Sequence, residues 1–153
     1  MTCLANILMT RLVNKMSLNR HMIREEAFQV LFALQSDPEA DIQTVYEAIP
    51  HHDEKQIPPY LLTLVNGVRE HQDQLDEQIN DLLASGWTIN RLAKPDLVIL
   101  RLALFEIQYA ENVPTVVAIN EALELTKTFS SDKSRKFING ALGKFEKQVN
   151  ENN

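Results

Sequence analysis

The chain has almost no cysteine, little glycine and no long apolar run, and each shortage closes off a class of function. Of its 153 residues one is cysteine, Cys3. No intrachain disulfide can form, no CxxC pair exists, and nothing calls for an oxidising compartment, so a reducing cytoplasm fits best. The four glycines make no phosphate-cradling loop, and no GxSxG elbow occurs. The most continuous apolar stretch, LVILRLALFEI from Leu97 to Ile107, carries Arg101 and Glu106. It is far shorter than the roughly 20 residues a membrane-spanning helix needs, so no span is expected.

What is present is ordinary for one globular domain: 44% hydrophobic and 24% charged residues, enough to bury a core and too apolar for disorder. The leader MTCLANILMTRLVNKM lacks the basic start and small-residue cleavage site of an export signal. Met9, Met16 and Met22 are alternative starts, so residues 1–16 are expected to be a disordered leader or a start-site artefact. The domain is expected over 17–149, with 150–153 as a tail.

Charge is distributed unevenly. The formal net charge is -6, yet residues 1–35 carry net +2, residues 36–125 net -11 and residues 126–153 net +3. Two basic ends flank an acidic middle. Such asymmetry is the footprint either of solvated helix faces or of an anion that touches both termini, with a separate partner for the acidic middle.

Apolar spacing reads helix throughout. From Ser17 or Asn19 as N-cap, Ile23, Ala27, Val30, Leu31 and Leu34 form one stripe that ends at Ser36-Asp37-Pro38, leaving Arg20, Arg24 and Glu25 outward. A short helix is expected over Ile42 to Ile49, and Pro58-Pro59 suits the opening of the next. Leu61 to Val68 and Leu75 to Leu83 are one bent helix or two, with Asp73 a possible cap and Ser85-Gly86 the stop. Thr88 can cap the single turn TINRL. Lys94-Pro95-Asp96 then opens the helix of Leu97 to Ile107, expected to be buried nearly all round as the central element. VPTVVAI alone could pass for a strand, but NEALELTK continues it with strong helix formers. A last helix starts at Ser130 or Ser131 and buries Phe137, Ile138, Ala141, Leu142, Phe145 and Val149. Gly140 and Gly143 inside it point to a close helix contact or a nearby ligand.

Catalytic chemistry is poorly served. His51-His52-Asp53-Glu54 groups four potential metal ligands, but adjacent loop histidines lack the spacing of helical zinc motifs, and a solvated polar loop is the favoured reading. Glu121 and Glu124 form a carboxylate pair with no nucleophile or partner acid beside them, so Asn120 and Glu121 are expected to satisfy polar groups at a helix contact such as Arg101. No enzyme, cofactor or metal is expected. Anion binding is better served. Arg20 and Arg24 lie four apart with His21 beside them, and SSDKSRKFING sets Lys133, Arg135 and Lys136 at a serine-rich helix start. Phe137 follows as a core residue or a base-stacking platform.

The blocks RHMIREEAFQVLF, DLVILRLALFEI followed by VPTVVAINEALELTKTF, and SDKSRKFINGALGKF resemble the NusB family of bacterial transcription antitermination factors, from Asn19 to Lys147. The resemblance implies an all-α, compact single domain of about seven helices in two helical subbundles, consistent with helix-bundle packing. It implies binding of single-stranded boxA RNA from ribosomal RNA operons, together with the ribosomal small-subunit protein NusE. It implies assembly into an RNA polymerase antitermination complex with other Nus factors. Carried over by motif, the RNA-binding residues are Arg20, His21, Arg24, Lys127, Lys136 and Phe137, and the protein-partner residues are Phe32, Asp96, Asp132 and Lys133. Two features depart from the pattern: the N-terminal element has fewer positive charges than the most basic members, and Lys133 stands where others can carry an acid, so it faces protein or RNA. The competing readings are a helical adaptor without RNA binding, and a regulatory domain related to those of ribosomal RNA cytosine methyltransferases. The latter needs a cofactor-binding unit for which this chain has no room.

Overall fold

Proline, serine and glycine punctuation cuts the chain into α1 (Thr2–Ser36), α2 (Ile42–Ala48), α3 (Pro59–Glu70), α4 (Gln72–Leu82), a 3-10 turn (Ile89–Arg91), α5 (Lys94–Tyr109), α6 (Thr115–Phe129) and α7 (Asp132–Glu151). The computed structural model describes the backbone of residues 2–50 and 56–152, and the side chains of 4–6, 20–50 and 56–152. No strand occurs among the described residues. His51 to Glu54 lie outside them. Among those described, no cluster of three metal-ligating side chains occurs and no helix is long and apolar enough to cross a membrane.

Several boundaries follow directly from local chemistry. Asp41 caps α2 by accepting the Thr44 amide, and Ser131 caps α7 by accepting the Ser134 amide. Pro59 and Pro95 occupy first-turn positions where a missing N–H costs nothing. α3 and α4 are two helices joined at His71, whose amide and ring Nδ1 both lie within hydrogen-bond reach of the Gly67 carbonyl. Asp73 is therefore inside the first turn of α4 and not its cap. α1 departs further from expectation. Its helix runs unbroken through Ser17 and Asn19, so neither caps it. No glycine or proline stands between Thr2 and Asp37 to stop it.

α5 is the shared centre. It packs against α1, α3, α4, α6 and α7, and Val98 to Glu106 is buried apart from Arg101. Two pairs of contacts orient its neighbours. His21 meets Glu121 and, seven residues on, Phe28 stacks on Phe129, so α1 and α6 run side by side in the same direction. Arg24 meets Glu106 while Asp96 meets Ser130, so α5 runs against both.

Gly67 permits a close approach of α5: a Cβ there would stand 2.1 Å from Cζ of Phe105. Gly140 and Gly143 behave otherwise than expected. Both are exposed, and a Cβ at either would meet nothing within 4 Å, so close packing does not explain them. Arg101 is also reassigned. Its guanidinium donates to both carboxylate oxygens of Asp76 on α4, at 2.7 and 2.9 Å, and not to the α6 carboxylates.

Candidate nucleic-acid interface

The turn of α1 from Arg20 to Glu25 sits where α3, α5 and α6 converge, and its charges are largely answered from within the protein. Arg24 lies three residues before Ala27 and seven before Leu31, which puts it on the core face of α1. It is 4% exposed. Its Nε donates to both oxygens of Glu106, at 2.8 and 3.0 Å, and Glu106 is itself buried. Burial alone would lower the Arg24 pKa, but the hydrogen bond and charge of Glu106 outweigh it and hold the guanidinium ionised. The outward placement and direct RNA role expected for Arg24 are thus corrected: its side chain offers almost no surface to a ligand.

His21 lies between two acids. Its Nδ1 is 2.8 Å from Glu121 on α6, and its Nε2 is 3.1 Å from Glu25 one turn along α1. The hydrogen bond to Glu121 raises its pKa above 6.5 against the opposing effect of burial, helped by the charges of Glu121, Glu25 and Glu124. Arg20 is half-buried, and its guanidinium carbon lies 4.7 Å over the ring of Tyr60 on α3. Tyr60 in turn donates its hydroxyl to Glu106 at 2.5 Å. No carboxylate among the described residues pairs with Arg20, unlike Arg24 and His21.

The second basic region is open. Lys127 near the end of α6, and Lys133, Arg135 and Lys136 in the first turns of α7, are all exposed and make no ion pair among the described residues. Phe137 is half-buried against the core. The corner between α6 and α7 is rigidly anchored: Ser130 and Ser134 donate their hydroxyls to the two oxygens of Asp96, at 2.7 and 2.6 Å. Asp96 is 5% exposed. That corrects its expected place on a partner surface, because both its oxygens are committed to fastening α5 to this corner. Asp132 and Lys133 project from the same corner and are exposed. Phe32 is exposed too, and it ends a ladder in which Phe32 stacks on Phe28 at 5.8 Å and Phe28 on Phe129 at 4.4 Å.

Tyr60, Glu106 and Glu121 are the residues that sequence reasoning did not place here. A signal existed for Glu106. An acid inside an otherwise apolar, fully covered helix requires a buried partner, and an arginine on the core face of another helix is the natural candidate. Tyr60 gave no such signal, because nothing in PPYLL tells which neighbour its hydroxyl will find.

A family model described as the NusB family matches residues 21–147. A Limosilactobacillus reuteri protein named transcription antitermination protein NusB is 99% identical over 138 residues, 90% of this chain and all of that protein. A Lactiplantibacillus plantarum protein of the same name is 56% identical, covering 86% of this chain and 97% of its own. Among solved structures, T. maritima NusB superposes with a TM-score of 0.73 at 30% identity, covering 84% of this chain and 90% of that one. A chain from a crystal of antitermination factors NusB and NusE in complex with dsRNA gives 0.69 at 24% identity, covering 84% of this chain and 96% of its own, and shares the fold.

Proposed function

The chain belongs to the NusB family, and from that premise we propose that it is a transcription antitermination factor that works by binding and not by catalysis. It holds boxA RNA from ribosomal RNA operon transcripts together with ribosomal protein NusE, inside an RNA polymerase antitermination complex in the cytoplasm. The unit that does so runs over 17–149.

The observation that carries this reading is the pair of cationic regions flanking the α1–α6 seam. Among the described residues Arg20 lacks a carboxylate partner at one end, and Lys127, Arg135 and Lys136 stand exposed toward the other. Glu121 marks the level of His21, and Lys127 lies six residues further along α6, about 9 Å along the helix axis. A short single strand can bridge that distance. Phosphate contacts from these cations would set its register, while stacking and base-edge contacts specify sequence. Lys136 and half-buried Phe137 complete the second cluster, and His21 joins the first when protonated. NusE meets the surface beside the second cluster, at Phe32, Asp132 and Lys133, where an exposed ring borders the α6–α7 corner.

Titrating a boxA oligonucleotide with the full chain, with and without NusE, tests the reading. Binding that tightens with NusE and weakens with salt is expected. Absence of RNA binding in both titrations would remove the function.

A further inference from the structure

Arg20 is the one N-terminal cation of the candidate set that no carboxylate among the described residues neutralises, and it does not swing freely. A long arginine side chain normally surrenders rotamer freedom when it grips a ligand, which weakens the grip. Here the guanidinium already rests on an aromatic face, 4.7 Å from the Tyr60 centroid. The face itself is held still. Tyr60 donates its hydroxyl to Glu106 at 2.5 Å, and Glu106 is 2% exposed on the central helix α5 and accepts from Arg24 Nε at both of its oxygens.

We propose that Tyr60 is a positioning residue of the RNA site: pinned by Glu106, its ring pre-orders Arg20 so that the guanidinium edge meets a phosphodiester of the bound strand. This rests on the RNA-binding reading of Arg20. Stacking covers one face of a planar guanidinium but leaves its in-plane N–H donors available, and those are the donors that match phosphate oxygens in a fork. Burial and the neighbouring Glu106 charge push the Tyr60 pKa upward, so the hydroxyl remains a donor throughout the working range. The buried Arg24–Glu106 pair thereby acquires a role at the surface. It is the anchor of a relay from α5 through α3 to Arg20 on α1.

The experiment is a double-mutant cycle read by fluorescence anisotropy of a labelled boxA oligonucleotide on the full chain with NusE, at several salt concentrations. Arg20→Gln should weaken binding about tenfold and reduce the log-log salt slope by about 0.7, one phosphate contact. Tyr60→Leu should weaken binding about fivefold in the wild-type background and have no further effect in Arg20→Gln, since it acts through Arg20. Tyr60→Phe keeps the ring while losing the pin, so it should fall between wild type and Tyr60→Leu. It also serves if the leucine variant does not fold. Equal weakening by the Tyr60 variants in both backgrounds, or none in either, would overturn the positioning role while leaving RNA binding intact. Arg20→Gln binding as tightly as wild type would overturn both the role of Tyr60 and the assignment of Arg20. A wild-type chain that binds no RNA even with NusE is a different failure, that of the function itself.

Discussion

The two basic ends of this protein look alike in sequence and have opposite fates in the fold. NRHMIRE at the start of the domain folds inward: Arg24 is buried on Glu106, His21 is shared between Glu25 and Glu121, and Arg20 lies on Tyr60. SSDKSRK at the α6–α7 corner folds outward, with Lys133, Arg135 and Lys136 exposed, while its serines and not its cations tie it to α5. The difference comes from helix phase and available acids. α1 crosses two helices that carry Glu106 and Glu121 on their inward sides, whereas the cations of the corner meet no such carboxylate among the described residues. A cluster of positive charge is thus a binding surface only after the fold has taken what it needs from it.

The sharpest way to break that comparison is to remove one cation from each end. Arg24→Ala would leave Glu106 as a buried charge short of its main partner and should cost about 3 kcal/mol or more of stability in denaturant unfolding. Lys136→Ala should change stability by less than about 0.5 kcal/mol, as an exposed residue without an ion pair among the described residues. It should instead lower the salt slope of RNA binding by about 0.7. Equal stability losses for the two variants would erase the distinction between an inward and an outward end.

Glycine offers a smaller version of the same contrast. Gly67 faces the rigid ring of Phe105 between α3 and α5, where the inward cluster is anchored, so Gly67→Ala should destabilise by about 1–3 kcal/mol through overpacking. Gly140 on α7 has open space around it, and Gly140→Ala should be stabilising by up to about 1 kcal/mol from helix propensity alone. Unfolding midpoints shifting the same way for both would contradict the packing described for α3 and α5.

Much of this arrangement is legible in the sequence. The central role of α5, the serine cap of α7, the proline starts and the breaks at Ser36-Asp37-Pro38 and Ser85-Gly86 all follow from local chemistry. Helix ends follow best where a residue forbids continuation. Ser17 and Asn19 only permit a start, and with no glycine or proline before Asp37 the helix passes through both. Side-chain fates are less legible, since they depend on which helix arrives opposite. Arg24 could have been placed inward from its spacing to Ala27 and Leu31. That Glu121 would meet His21 across 100 residues, and leave Arg101 to Asp76, depends on α1 and α6 running in parallel, which no local pattern specifies.

The gentlest test of the inward cluster is pH. The His21 pKa is raised above 6.5 chiefly by its hydrogen bond to Glu121, with burial opposing and Glu25 and Glu124 assisting. The folded protein therefore binds this proton more tightly than the unfolded chain. Its contribution to stability is fully present below about pH 6.5 and is lost as pH rises through the higher folded value. Wild type should be more stable than His21→Gln by the largest margin in mildly acidic buffer. The margin should shrink steadily toward alkaline pH. Because the His21 side chain is 38% exposed and screened by water, the effect should be smaller than either of the others. A margin that grows with pH would mean that His21 is held neutral, and the inward cluster would then be organised by hydrogen bonding alone.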